Sequence, residues 1–210
     1  MRTWTADDPK AGLMERKRKV ILKAALDAFL EDGYAGSSVN RIAENAGVSI
    51  KTLYRHFDNK DDLFVAVIQT ACTANPGAEE PPWLNLPPLE GLTRAGGEHL
   101  AFALSAEQIA LYRVVTREAQ RFPELGKRYR SEVVGGQIAQ LTRYFERWPD
   151  SLRARIRDPL RAARVFSALL QADLLETALL GGPIPGPDEL RARAHDAAAG
   201  LLALIAADLI

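Results

Sequence analysis

The sequence predicts an all-α protein of two parts, and three observations carry that prediction. Strand signals are nearly absent, with no alternating runs rich in Val, Ile, Thr and Tyr. Apolar residues instead recur at helical spacing along most of the 210 residues. A single stretch, Asn75–Pro88, holds five prolines and a glycine, too many for a helix interior, and marks a boundary. The expected division is therefore 10–74, a connection at 75–88, and 89–210.

The first helix is expected over Leu13–Asp32, where Ile21, Ala24, Ala25, Ala28 and Phe29 share a face and Gly33 follows as a stop. Ser37 and Ser38 offer N-cap chemistry for a short second helix ending near Asn45, with Val39, Ile42, Ala43 and Ala46 turned inward. Gly47 permits the left-handed backbone of a tight turn, and Val48 tucks in behind it. Ser49 caps a third helix, Ile50–His56, whose buried side is Leu53 and Phe57. Asn59 and Lys60 open a fourth, running to about Thr73 with Leu63, Phe64, Val67, Ile68 and Ala71 on its apolar face.

Beyond the prolines, five helices are expected at Leu89–Leu104, Ala106–Arg121, Glu124–Trp148, Pro159–Leu180 and Pro187–Ile210. Breaks fall at Pro123, Pro149, Gly181-Gly182-Pro183 and Pro185-Gly186-Pro187. Phe166, Leu169, Leu170, Leu174, Leu175, Leu179 and Leu180 surround most of their helix, so it needs cover on two sides. Leu201, Leu202, Leu204, Ile205 and Leu209 make the same demand near the C-terminus. One cover is the core, and the other is a second copy of the chain.

The charge is balanced at 27 cations and 27 anions, so net charge gives no sign of a polyanionic partner. Its distribution does: Lys10–Lys60 carries ten Lys and Arg against six Asp and Glu. The run Arg16-Lys17-Arg18-Lys19 is a solvated helix surface or a set of phosphate contacts. Cys72 is the only cysteine, which excludes an internal disulfide and fits a reducing compartment. No stretch approaches the roughly eighteen apolar residues that span a bilayer, and the first residues have no apolar leader, so the expected location is cytoplasmic.

The segment Ser37–Phe57, SSVNRIAENAGVSIKTLYRHF, has the dimensions of a helix-turn-helix. Ala43 is small where the helices cross, and Ile42, Val48 and Leu53 weld them together. Ser49, Ile50, Lys51, Thr52, Tyr54, Arg55 and His56 are left facing outward, a mixture of donors, an aliphatic and an aromatic that suits a major groove. Lys51 or Arg55 would donate to guanine or phosphate, Ile50 would meet a thymine methyl, and Thr52 and Tyr54 would donate to phosphate oxygens.

Ile42-Ala43, Ala46-Gly47-Val48-Ser49, Thr52-Leu53-Tyr54, His56-Phe57 and Lys60 together resemble the DNA-binding domain of the TetR family, over about Glu15 to Ala71. The resemblance implies that Ser38, Val39 and Asn40 face the DNA backbone or groove edge and that Lys60 touches phosphate. It further implies a C-terminal helical ligand-binding and dimerisation domain, a homodimer paired through the last two helices (about 159–180 and 187–210), double-stranded operator DNA as partner, and a small-molecule inducer. Ile50-Lys51 stands where the family often has Lys-Gly, so the operator code does not carry over. The segment Leu111–Arg130, with Glu118 and Phe122-Pro123-Glu124-Leu125, resembles the AefR-like branch of C-terminal domains.

Polar residues within the apolar helices, His99, Tyr112, Thr116, Gln171 and Asp173, are the candidates for a ligand pocket, beside the plainer reading that helix contacts or solvent satisfy them. His56, His99 and His195 share no metal-ligand spacing, so no metal or cofactor is expected. With no phosphate-binding glycine loop, no Gly-x-Ser-x-Gly elbow and no HExxH pair, an enzyme is not expected. The other class kept in view is a helical adaptor that binds protein.

Overall fold

The structure is a computed structural model that describes residues 9–72 and 80–210, without the side chains of 9–11 and Cys72. The stretch before Pro9, and residues 73–79 of the proline-rich connection, lie outside the described residues. Twelve α-helices and no strand occur among the described residues. They form two compact units, one of Met1–Thr73 with Ala110–Tyr129, the other of Ala74–Ile109 with Arg130–Ile210. This grouping differs from the division at 75–88, because Ala110–Tyr129 packs with the first unit.

In the first unit α1 (Pro9–Gly36) runs past its expected end. Gly33 does not stop it but kinks it, at φ 72 and ψ 175, a conformation glycine adopts without steric cost. Ile21, Ala25, Ala28 and Phe29 are buried, and Ala24 is half-buried. They meet Leu63, Phe64, Val67 and Ile68 of α4 (Lys60–Cys72), whose buried face is the one the spacing predicts. Asn59 caps α4 by accepting from the Asp62 N–H at 2.8 Å, and Asp61 and Asp62 place negative charge on its first turn.

Between them, α2 (Val39–Asn45) and α3 (Ile50–His56) are each seven residues long. Ser38 precedes α2 with an extended backbone but makes no side-chain cap bond. Ser37, the other cap candidate, donates instead to the Tyr34 carbonyl at 2.9 Å. Gly47 has φ 63, and the Val48 N–H closes the turn onto Ala43 O at 3.0 Å. Ser49 caps α3 as the sequence predicts, its hydroxyl accepting from the Thr52 N–H at 3.1 Å.

The first unit also takes in α6 (Ala106–Ala119) from Ala110 onward and α7 (Pro123–Tyr129). Leu111, Val114, Val115 and Leu125 are buried there. The Phe122 ring stands edge-on to Tyr34 with centroids 4.8 Å apart.

In the second unit α5 (Pro88–Ala103) lies along α12 (Pro187–Ala206). Small residues allow the approach: a Cβ at Gly96 would stand 3.1 Å from that of Ala194 and 3.0 Å from Leu170. The prolines before α5 are anchored, because Pro82–Asn85 forms a 3₁₀ turn with Trp83 and Leu84 buried. The Tyr144 hydroxyl donates to Leu86 O at 2.8 Å and lies 3.0 Å from Pro87 O.

Two expected helices are divided. Glu124–Trp148 becomes α7, a π-helical turn at Arg130–Val134, and α8 (Gly135–Glu146). Pro159–Leu180 becomes α10 (Pro159–Gln171) and α11 (Leu174–Leu179), parted at Ala172, which has φ 29. The short α9 (Asp150–Arg153) follows Pro149, and α12 ends four residues before Ile210. Phe166 and Leu170 are buried, but Leu169 is exposed and Leu180 is 81% exposed. The apolar ring of this region is thus only partly covered within one chain.

Candidate nucleic-acid interface

Leu53, completely buried, and Phe57 anchor α3 to the first unit. That orientation turns Ser49, Ile50, Lys51, Tyr54 and Arg55 outward and leaves Thr52 and His56 half-buried. Ile50 is 37% exposed and Tyr54 49%, a large apolar-aromatic surface for so short a helix. Ser38 and Asn40 at the start of α2 are also exposed, and Val39 is half-buried.

The basic start of α1 packs against the end of α3. Arg18 lies 5.3 Å over the Phe57 ring, and the Arg55 guanidinium reaches Met14 Sδ at 3.6 Å. His56 sits in this environment. Burial first, then Arg55, Arg18 and Lys17, holds its imidazole below the usual histidine range, with Glu15 opposing. Its Nε2 has no hydrogen-bond partner, and it stays neutral at pH 7. Arg41, by contrast, pairs with Asp32 and with Glu31 on α1, so it spends its charge inside the protein.

Lys60 stands apart from the rest of the expected contact set. Its ammonium donates to Ser37 O at 2.6 Å and lies 4.7 Å over the Tyr34 ring. Burial pulls it below the usual lysine range, and the Glu118 carboxylate opposes that pull. Tyr34 in turn donates a hydrogen bond to Asp61. Sequence reasoning did not find this cluster, because its pairings join residues 23 and 27 apart and no local spacing announces them.

The ligand candidates divide between the units. His99 and Gln171 are brought together, the amide nitrogen of Gln171 donating to Nε2 of His99 at 2.9 Å. Burial pushes the His99 imidazole down to about 4, so at neutral pH it is uncharged and Nε2 can accept the Gln171 amide proton. Asp173 is exposed and pairs with Arg193 at 3.4 Å. In the first unit Thr116 is exposed and donates to Tyr112 O at 2.9 Å, while the Tyr112 ring stands edge-on to Tyr129. The structure gathers two of the five, not all. No group of three His, Cys, Asp or Glu side chains is placed to hold a metal among the described residues. Nor is any described helix long and apolar enough to cross a membrane.

A pair of short helices joined at Gly47, the second capped by Ser49, with a polar and aromatic outer face, defines a helix-turn-helix transcription regulator. Residues 21–67 match the family model of bacterial regulatory proteins of the tetR family, and residues 90–205 match that of the AefR-like transcriptional repressor C-terminal domain. The chain belongs to the TetR family.

The regulator RutR of Escherichia coli K12 is 45% identical over 53 residues, 25% of each chain. TcmR of Streptomyces glaucescens is 31% identical over 144 residues, 62% of each. The match thus spans about a quarter of RutR's length. Among solved structures, a TetR-family regulator from Mesorhizobium loti MAFF303099 and the flavonoid-responsive regulator FrrA both superpose with a TM-score of 0.73. Each covers 91% of this chain and 97% of its own, at 25% and 27% identity.

Proposed function

We propose that the protein is a cytoplasmic homodimeric repressor that binds a near-palindromic operator and leaves it when a small molecule binds. The observation that carries this reading is the outward face of α3, where Ser49, Ile50, Lys51, Tyr54 and Arg55 are free of the core. Thr52 and His56 flank that face, and Ser38, Val39 and Asn40 extend it towards the groove edge. Two such helices in a dimer would enter successive major grooves about 34 Å apart.

Support for pairing through α10–α12 comes from Leu169, Leu180 and Leu209, apolar side chains that one copy leaves exposed. Light scattering is expected to give a dimer for the native chain and a monomer for Leu180→Glu combined with Leu209→Glu. Support for a ligand comes from the His99–Gln171 pair, a polar couple in a desolvated setting. A phenolic hydroxyl would donate to Nε2 in place of the Gln171 amide, and a similar structure is named as flavonoid-responsive. By linkage, such a ligand weakens DNA binding by the same factor that DNA weakens its own.

The decisive experiment is a titration, over a range of salt concentrations, of the protein against its own upstream DNA and a scrambled duplex of equal length. Tight, salt-sensitive binding to the upstream DNA alone is expected. Equal and weak binding to both duplexes moves the operator elsewhere or keeps the helical adaptor in view, and no binding to either at low salt sinks the operator reading in favour of that adaptor. Repeating the titration with a flavonoid such as quercetin tests release, and unchanged affinity removes that ligand class.

A further inference from the structure

Lys60 is placed unlike a side chain waiting for a phosphate. Its ammonium is half-buried, hydrogen-bonded to Ser37 O at 2.6 Å and capped by the Tyr34 ring at 4.7 Å. Ser37 immediately precedes Ser38 and Val39, so the carbonyl it holds belongs to the strap of chain that sets where α2 begins. That carbonyl lies before the first turn of α2, and a cation on it fixes the strap without using any intrahelical bond.

The opposite charge comes from α6. Glu118 is only 7% exposed, a rare setting for a carboxylate unless it is paired. Its Oε1 accepts from Arg117 Nε at 3.2 Å, and the carboxylate lies near enough to Lys60 to favour the ammonium form. The Arg117 guanidinium fills the space beside Gly33, where a side chain would collide with it and where Glu118 Oε1 would lie 3.3 Å from a Cβ. Gly33, Tyr34 and Ser37 of the α1–α2 corner are therefore gripped by Lys60 from α4 and by Arg117 and Glu118 from α6.

We propose that Lys60 and Glu118 are positioning residues for the DNA-binding face. Lys60 fixes the Ser37 carbonyl, Glu118 holds the Arg117 guanidinium against Gly33 from α6, and neither touches DNA. This rests on the operator reading above. It assigns a role to a buried carboxylate on α6, and it moves Lys60 from the phosphate contacts to the inside of the unit. Removing a hydrogen bond to a charged group is expected to weaken operator binding about tenfold, through misplacement of α2 and α3.

Two measurements on the full-length protein test it. The first is operator affinity against salt for K60M, K60R and E118Q. K60M is expected to bind about tenfold more weakly with the native slope of log K on log salt, and K60R to recover most of that loss. E118Q is expected to bind more weakly, again with the native slope. A phosphate contact instead lowers the slope by about one, and that result for K60M overturns the assignment of Lys60. The second measurement is amide hydrogen exchange at Val39–Ile42 without DNA, expected to be about fivefold faster in E118Q. Native affinity and native exchange in E118Q overturn the role of Glu118. If the native protein binds no DNA, the operator reading fails, and the exchange measurement still decides the positioning role. E118Q is nearly isosteric, so it keeps the test open if K60M does not fold.

Discussion

The Arg18 guanidinium lies 5.3 Å over the face of the Phe57 ring, so the basic start of α1 is held beside the last turn of α3. A cation over an aromatic face contributes roughly 0.5–1 kcal/mol at an exposed site. Here it also carries a charge to the edge of the proposed DNA-binding face. Arg18→Gln is expected to weaken operator binding and to lower the salt slope by about one, measured by fluorescence anisotropy over a range of salt. An unchanged slope would leave Arg18 as packing alone.

Within the outer face of α3, phosphate contact and base reading make different demands. Tyr54→Ala is expected to weaken binding to every operator variant alike, because a phosphate carries no sequence information. Lys51→Ala is expected to relax preference at one base pair by about 1–3 kcal/mol. A panel of single-base operator variants separates the two. A Tyr54→Ala protein with full affinity would remove that hydroxyl from the contacts.

His99 makes stability depend on pH. Its imidazole is pushed down to about 4 by burial, below the value of about 6.5 it has in the unfolded chain. Between those values the unfolded state binds the extra proton, so stability is full above about pH 6.5 and falls as the pH drops towards 4. The shift corresponds to about 3 kcal/mol at most. His56, lowered for a related reason, adds to the loss with the same sign. Urea denaturation at pH 7.5 and pH 4.5 is expected to show a smaller difference in His99→Gln than in the native protein. An equal difference would assign the acid sensitivity elsewhere.

Gly91 owes its identity to the Tyr144 hydroxyl. A Cβ there would collide with that oxygen, which holds Leu86 O and Pro87 O. Burial pushes the same hydroxyl up to about 12, so it remains a donor at any working pH. Gly91→Ala is expected to cost about 1–3 kcal/mol of stability through overpacking, read as a lower denaturation midpoint. Tyr144→Phe in the same background is expected to recover part of the loss, since it removes the nearest of the colliding atoms and leaves the ring carbon Cζ and Trp83 O.

Local chemistry decided what was legible in the sequence. The helix-turn-helix could be read because Ile42, Ala43, Gly47, Ser49, Leu53 and Phe57 act over one or two turns, and each residue's demand is met by a near neighbour. The break at Ala172 carries no proline or glycine of its own, so a periodic pattern runs straight through it. Ala110–Tyr129 looked like part of the later helices because sequence order says nothing of which core a helix joins. Lys60 illustrates the same limit: its position is typical of a phosphate contact, but its ammonium lies on Ser37 O and the Tyr34 ring, which only the folded chain assembles. His99 and Gln171, 72 residues apart, were each visible as polar residues in apolar helices, but not as a pair.

The Ser38 hydroxyl has no capping duty, and Lys51, Tyr54 and Arg55 are likewise exposed rather than set into the core. Exchanges at these positions are therefore nearly free of a stability toll, while Ile42, Ala43, Leu53 and Phe57 hold the scaffold constant. Under the proposed operator reading, a duplicated copy of this gene would acquire a new base preference by drift at exposed positions such as Lys51, with Tyr54 keeping its grip on phosphate, without passing through a form that fails to fold.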